Sequence, residues 1–415
     1  MAYDREYPGR RSAAGSSRRD KYPAGNIHTT TRRSDRRTAP ARGQNKNILA
    51  QVLSPVKNPV DYPFLIAVCL LVAFGLMMLF SAGSAKAFAN YGDTLYYFKN
   101  QLVGAILGIA GMYFCSKIDY HSLRHWALIL YVACGVLLVM VLIPGLGTTS
   151  GGATRWLFGF QPSEIAKFAL ILFVSVWVER NQQYMPSFMK GFMPCMIMLA
   201  IYVVLLIFEP HFSCIILMTL TVMLILFVGG AKIKHFFYIG LPGVLGAAVM
   251  ILIEPYRMAR VVSFMDPFAD VQGSGWQIVQ SLYAIGSGGL FGVGLGQSRQ
   301  KFQSLPEPQN DFIFSVLAEE LGLIGALVLI GLFIFLIYRG VKIASKAPDL
   351  FGTLLTAGII GIIAFQAVIN IAVVTSSVPV TGMPLPFFSY GSTALIITMC
   401  EIGVVLNVSR QCEKI

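Results

Sequence analysis

The residues most able to do chemistry lie in one stretch, Leu305 to Gly322, which reads LPEPQNDFIFSVLAEELG. Its first half is broken by Pro306 and Pro308, which lack backbone donors, and its second half turns apolar at helical spacing. Asp311 stands at the junction, where a carboxylate at the edge of an apolar helix needs a reason. Arg155 in GGATRW and Lys167 in QPSEIAKF supply cations suited to a phosphate-bearing ligand. Glu164 lies three residues before Lys167 on the same helical face, so mutual neutralisation explains that pair as well as ligand binding does. Glu319 and Glu320 are adjacent and point in different directions; Glu320 can face a cavity while Glu319 caps or pairs inside a bundle. Glu401, in the last apolar run, fits a structural partner as readily as a function.

These residues must be positioned by membrane-spanning helices. The chain has 415 residues, 55% hydrophobic and only 13% charged, and the apolar residues come in runs of about twenty, the length that crosses a bilayer. The expectation is an all-α polytopic membrane protein with ten spans, near 62–82, 102–116, 125–144, 163–179, 188–208, 211–230, 236–254, 312–337, 352–375 and 387–408. The first run begins near Tyr62, after some sixty polar residues, as in an uncleaved signal anchor. Six of the seven cysteines lie in the apolar runs, where they act as small apolar residues and predict no disulfide framework. Residues 1–60 hold thirteen of the thirty-two Lys and Arg against four acids, which accounts for +9 of the formal +12. That segment reads as a disordered cytoplasmic tail in contact with anionic membrane lipids. Nucleic acid is not expected as a partner, because few aromatic residues stand among the arginines to stack bases.

Charge sets the orientation. With the tail inside, eleven further basic residues fall in cytoplasmic loops or the C-terminal end, against seven outside, four of those in one long segment. Both termini are then cytoplasmic and Asp311 is on the outer face. The domains are a tail over 1–60, a ten-helix membrane domain over 61–409 with a long outer loop at 255–311, and a short tail at 410–415. Within the long loop, Trp276, Val279, Leu282 and Tyr283 recur at helical spacing and predict an amphipathic helix on the membrane surface. The GLFGVGLG run follows no strand, so it predicts a tight turn back to the bilayer and not a dinucleotide loop. The last outer loop, SSVPVTGMPLPFFSY, carries no charge, and three prolines forbid a regular helix. It predicts a broken segment buried at membrane depth, of the kind that builds a site.

The order GATRW, QPSEIAKF, EPYR, long outer loop, PEPQNDFIFSVLAEELG and TGMPLPFFSYG resembles the SEDS family (shape, elongation, division and sporulation), the FtsW, RodA and SpoVE group that polymerises peptidoglycan strands. The likeness runs from Tyr62 to Val408, and the wording VPVTGMPLPF with the basic tail is nearer the FtsW and SpoVE branch. Two departures stand out. The usual QPDLGT is EPHFSC here, so His211 replaces a carboxylate, and SYGG is SYGS, with Ser392 for the second glycine.

The resemblance implies a lipid II glycosyltransferase of the bacterial cytoplasmic membrane. The acceptor is the 4-hydroxyl of GlcNAc on lipid II, the donor a nascent glycan strand α-linked to undecaprenyl pyrophosphate, and the product bond β-1,4. Inversion needs a base on the attacking hydroxyl and charge neutralisation on the leaving pyrophosphate; a second catalytic carboxylate to protonate the leaving group is not required. The resemblance assigns the base to Asp311, and substrate binding to Arg155, Lys167, Arg257, Glu320 and Ser389. A divalent cation, Mg²⁺ or Mn²⁺, held partly by Asp311 is a further means of neutralising the pyrophosphate. It also implies a class B penicillin-binding protein as partner, alongside other divisome proteins, since no Ser-x-x-Lys signature stands in a soluble outer domain. The alternatives are a lipid II flippase, which should show matched broken helices in two halves, and a non-enzymatic scaffold for a transpeptidase, which would need no carboxylate at 311. No second copy of either broken stretch is found in the sequence.

Overall fold

The computed structural model describes residues 59–412, apart from 151, 152, 254, 272, 274 and 304. All but the last two residues of the basic tail, and residues 413–415, lie outside the described part. Helices occupy all ten stretches read as spans: α1 Tyr62–Tyr91, α2 Tyr96–Cys115, α3 Leu123–Val141, α4 Pro162–Arg180, α5 Met193–Phe208, α6 Phe212–Val228, α7 Ile233–Ile253, α11 Ile313–Ser345, α12 Leu350–Val374 and α13 Ser392–Gln411. Three more stand in the long segment between α7 and α11: α8 Pro255–Met265, α9 Trp276–Gly288 and α10 Gln300–Gln303. Among the described residues, six helices are long and apolar enough to cross a membrane, and α6 is apolar but shorter. The protein is a helical, multi-pass membrane protein.

One element was not foreseen. Between α3 and α4 the chain forms an antiparallel hairpin, β1 Gly147–Ser150 with β2 Ala153–Leu157, in register Gly147 opposite Leu157 and Thr148 opposite Trp156. Helix α4 lies at the centre of the bundle. Thirteen of its nineteen residues are buried, on all sides of the helix, which is why its sequence shows no polar stripe. Helices α2 and α13 approach closely because α2 offers small residues: a Cβ placed on Gly104 would stand 2.8 Å from the Ser392 Cβ, and one on Gly108 would stand 3.0 Å from Met399 Cγ.

Helix α11 is two helices in one. At Gly322 φ is +68° and ψ −166°, so a half-helix Ile313–Leu321 ends there and a long helix resumes. The freed backbone groups are satisfied by the glycine run. Val293 and Gly294 N–H donate to the Glu319 and Glu320 carbonyls at 3.0 Å each, while Leu323 and Ile324 N–H donate to the Gly289 and Leu290 carbonyls at 2.9 and 3.2 Å. Only glycine fits on either side, since a Cβ on Gly322 would stand 2.4 Å from Gly292 N and one on Gly292 would stand 2.1 Å from the Glu320 carbonyl oxygen. The predicted tight turn is therefore a plug in a broken helix.

Helix α9 corrects a second expectation. It is a helix, but it packs against protein. Its buried residues are Ile278, Val279, Gln280, Ser281, Ala284 and Gly288, while Tyr283 is exposed. The Ser281 hydroxyl lies 2.6 Å from that of Ser315 in α11 and donates to the Val374 carbonyl of α12 at 2.7 Å. Small residues, Ser281, Ala284 and Gly288, share that face with Ile278 and Val279 and permit close helix contact.

Candidate functional site

Three consecutive carbonyls lead the chain into α11, and each is gripped. Tyr390 N–H donates to Gln309 O at 2.9 Å, Ser389 Oγ to Asn310 O at 2.7 Å and Asn370 Nδ2 to Asp311 O at 2.8 Å. Asn370, in α12, also donates to Met383 O at 2.6 Å, so one amide ties the Asp311 segment to the loop between α12 and α13. That loop has no regular helix, as its prolines dictate, and it turns back into the protein with Met383, Leu385 and Phe388 buried. Gln101 of α2 holds its far end, donating to Ser389 O at 3.2 Å and accepting from Gly391 N–H at 3.0 Å.

The Asp311 backbone is thus fixed while its carboxylate is left open. Among the described residues no hydrogen bond reaches its side-chain oxygens. Gly382 lies against it, with φ +68°; a Cβ there would stand 3.4 Å from Asp311 Oδ2. Burial pushes the Asp311 carboxyl up and the Glu307 charge adds to this, while Arg260 and Arg155 pull it down; the result is about 6. Such a carboxyl is mostly ionised at neutral pH yet binds a proton far better than an ordinary aspartate.

The two guanidiniums arrive from different elements. Arg155 is on β2 and is anchored to the end of α5, its Nη2 donating to Pro210 O at 2.6 Å and its Nε to Glu209 O at 3.5 Å. Arg260 is on α8 and donates to Val380 O at 3.0 Å. Both are tethered to the main chain and both charges act on the Asp311 carboxyl, an arrangement suited to an anion beside the carboxylate. Beneath Arg155, burial drives the Glu209 carboxyl up to about 7 against the pull of Arg155.

The structure separates the residues chosen from sequence. Asp311 and Arg155 are brought together. Lys167 is buried in α4 and paired with Glu164 at 2.8 Å; it faces Cys214 and Glu401 and is not among the charges acting on Asp311. Arg257 stands in the first turn of α8, and its side chain lies outside what is described. Glu320 is not open to a cavity: its side chain is wholly buried and paired with Lys301 at 2.7 Å. Nor is Ser389 a free ligand, because its hydroxyl donates to Asn310 O and accepts from Leu385 N–H at 2.7 Å, which makes it a staple.

Sequence reading missed Arg260, Asn370, Gln101 and Glu209. The surplus of basic residues in the segment between α7 and α11 was the available signal for Arg260; the amides gave none, because their role is to reach distant carbonyls. Glu209 carries no signal of its own in EPHFSC, where His211, two positions on, is the departure that stands out. A concavity of about 800 Å³ between α3 and α5 is lined by residues such as Val132, Val136, Ile197 and Ile201 and lies apart from these groups.

Residues 62–414 match the cell cycle protein family FtsW/RodA/SpoVE. The chain is 44% identical to stage V sporulation protein E of Bacillus subtilis (strain 168), covering 85% of this chain and 98% of that one. It is 39% identical to a probable peptidoglycan glycosyltransferase FtsW of Geobacter sp. (strain M18), over 85% of this chain and 97% of that one. Among solved structures, a chain from work on the structural coordination of polymerization and crosslinking by a peptidoglycan synthase complex superposes with a TM-score of 0.71 at 30% identity, covering 85% and 98%. The crystal structure of the Thermus thermophilus rod shape determining protein RodA gives 0.62 at 28% identity, covering 86% and 98%.

Proposed function

The chain belongs to the FtsW, RodA and SpoVE family of cell cycle proteins, and from that premise we propose that Asp311 is the general base of its reaction. The activity is peptidoglycan glycosyl transfer, the polymerisation of lipid II into glycan strands. One observation carries the assignment of Asp311: a backbone held by three separate grips presents an unbonded carboxylate, raised to about 6, toward two tethered guanidiniums. Asp311 takes the proton of the acceptor 4-hydroxyl as that oxygen attacks the anomeric carbon of the donor. Arg155 and Arg260 face the charge that grows on the departing pyrophosphate. Inversion at that carbon gives the β-1,4 bond. The acid limb of such a reaction lies near the Asp311 value.

No group of three or more His, Cys, Asp or Glu among the described residues forms a cation cage. Magnesium commonly takes one or two carboxylates and completes its shell with substrate phosphate oxygens and water. The unbonded Asp311 carboxylate fits the protein's share of such a site. It would hold Mg²⁺ or Mn²⁺ against the pyrophosphate, and the ion would supply charge neutralisation there.

The helices at the ten predicted spans cross the cytoplasmic membrane, with both termini inside and Asp311 on the outer face. This reading is supported by the charge asymmetry of the loops. The basic tail over 1–60 and the short segment 410–415 flank the membrane domain. A class B penicillin-binding protein docks on the long outer segment and the outer ends of α11 and α12 and supplies crosslinking, with other divisome proteins around it. Kinship to a chain of a solved peptidoglycan synthase complex supports that partnership. Purified protein given fluorescent lipid II should yield lysozyme-sensitive polymer, and Asp311→Asn should not. Polymer from Asp311→Asn at the wild-type rate removes the base assignment; no polymer from the intact protein with its transpeptidase partner removes the polymerase reading.

A further inference from the structure

A buried ionic knot stands at the break in α11, and the reaction as described makes no use of it. Lys301 Nζ is 2.7 Å from Glu320 Oε1, with side chains 2% and 0% exposed. The Ser81 hydroxyl of α1 donates to the same carboxylate, 2.6 and 2.7 Å from its two oxygens, and accepts from Lys301 Nζ at 3.0 Å. Beside it, Glu319 accepts from Ser298 Oγ at 2.5 Å and from Arg299 N–H at 2.9 Å. Lys301 N–H donates to Ser298 Oγ at 3.2 Å, which closes the cluster.

Such a knot is a poor device for stability alone. Taking both charges out of water offsets most of their attraction, and well-packed apolar residues often serve as well or better. Its place suggests another use. Glu319 and Glu320 form the last turn of the half-helix Ile313–Leu321, and helical continuity is lost at Gly322. The tilt of the half-helix is therefore not inherited from the long helix that follows. It is set at one end by the grips on residues 309–311, and at the other by the glycine run and this knot, which reach in from α1 and α10.

We infer that Lys301, with Ser81 and Glu320, is a positioning element for catalysis: it fixes the tilt and register of the half-helix and so sets the Asp311 carboxylate against Arg155 and Arg260. None of the three touches substrate. The lever is short. At about 1.5 Å per residue the half-helix is roughly 14 Å long, so a tilt of about 5° at the knot moves its other end by roughly 1 Å. A displacement of that size costs on the order of 10²-fold in rate when it falls on a reacting group. A tilt that opens the site also returns Asp311 toward solvent and lowers its carboxyl toward the ordinary aspartate range.

The inference rests on Asp311 as base, and the test keeps the two apart. Full-length Lys301→Met, Lys301→Arg, Ser81→Ala and Asp311→Asn are purified in detergent with a fluorescent lipid II assay, thermal unfolding and a pH–rate profile for each. Lys301→Met should lose at least ~10-fold in kcat with KM little changed, and its acid limb should move to lower pH. Lys301→Arg should restore most of the rate and the limb. Ser81→Ala leaves no bare charge, so it should fold even where Lys301→Met does not, with a smaller change of the same kind in kcat and acid limb. A rate that falls only with the amount of folded protein, the limb unmoved in every folded variant, would make the knot structural and overturn the inference. Wild-type kcat in Lys301→Met and Ser81→Ala would do the same, with Asp311→Asn inactive. Should Asp311→Asn stay active, the base reading fails first.

Discussion

Asp311 and Asp349 enter successive long helices, α11 and α12, and their surroundings could hardly differ more. Asp349 caps α12, accepting Gly352 N–H at 3.1 Å, and takes a hydrogen bond from the Tyr120 hydroxyl at 2.5 Å and another from Arg124, with His121 Nε2 3.4 Å away. Burial pushes its carboxyl up, but hydrogen bonds from His121, Tyr120 and Gly352 outweigh that and bring it down to about 2. Asp311 is also pushed up by burial; no hydrogen bond opposes the push, and its carboxyl rises to about 6. One carboxylate is saturated with donors and serves to join α3, α4 and α12, since Arg124 also pairs with Glu179 at 2.6 Å. The other has its backbone held and its oxygens free. A charge that is fully satisfied has little left to give a substrate, whereas an unsatisfied one on a rigid mount can accept a proton.

The largest expected effect breaks the comparison at its active end. Asp311→Asn keeps the shape and removes the base, so lipid II polymerisation should fall by ~10²–10⁴. Added Mn²⁺ should restore part of the rate if the carboxylate also holds a cation, and none if it is a base alone. Folding should not suffer. A carboxyl raised in the folded state adds stability below the ordinary aspartate range, about 4, and that contribution is lost as pH rises through about 6. At pH 7 the asparagine is therefore neutral or mildly stabilising, which thermal unfolding in detergent can read.

At the saturated end the expectations reverse. Asp349→Asn retains a competent helix cap but loses charge-assisted bonds to Arg124 and Tyr120, so stability should fall by about 1.5–3 kcal/mol. The rate per folded molecule should hold. Because the Asp349 carboxyl is lowered on folding, its contribution is present above about 4 and is lost as pH falls through about 2. A variant as stable as the parent, or a loss of rate without a loss of stability, would remove the contrast.

The helices were legible because each apolar run is long, and all ten stretches became helices with boundaries shifted by several residues. Asp311 was legible because a lone carboxylate at an apolar helix start is rare. What escaped notice was pairing at a distance. Glu320 looked available until Lys301, nineteen residues earlier, and Ser81, 239 residues earlier, turned out to meet it. The Ser389 hydroxyl looked free until Asn310 took it, seventy-nine residues away. Periodicity reports which face of a helix is apolar, but it carries no record of which polar groups meet across the bundle. The break at Gly322 was hidden for the same reason: its evidence is the glycine run that plugs it, thirty residues upstream.

A milder change tests whether the cations around Asp311 act on it. Arg260→Gln removes one of the two charges that lower the Asp311 carboxyl, so the acid limb of kcat/KM should move to higher pH. At pH 7 the rate should drop several-fold, from the shifted limb and from weaker neutralisation of the pyrophosphate. An unmoved limb would mean that Arg260 serves the main-chain contact with Val380 and not the carboxylate.

The smallest expected effect has the opposite sign. Glu307 pairs with Lys86 and accepts from Gln309 Nε2 at 2.8 Å and Asn310 Nδ2 at 2.9 Å, and its charge faces Asp311 and raises that carboxyl. Glu307→Gln removes the charge while keeping an oxygen that can accept from the two amides. The acid limb should then move to lower pH by a fraction of a unit, because Glu307 is exposed and water screens it. Turnover at pH 7, where Asp311 is already mostly ionised, should hardly change, and thermal stability should fall by no more than an exposed ion pair contributes, ~1 kcal/mol or less. Opposite limb shifts in Glu307→Gln and Arg260→Gln would show one carboxyl answering to both neighbours. A shift of the same sign in both variants would mean that the limb belongs to another group, with Glu209 the first to examine since burial raises it to about 7 beside Arg155.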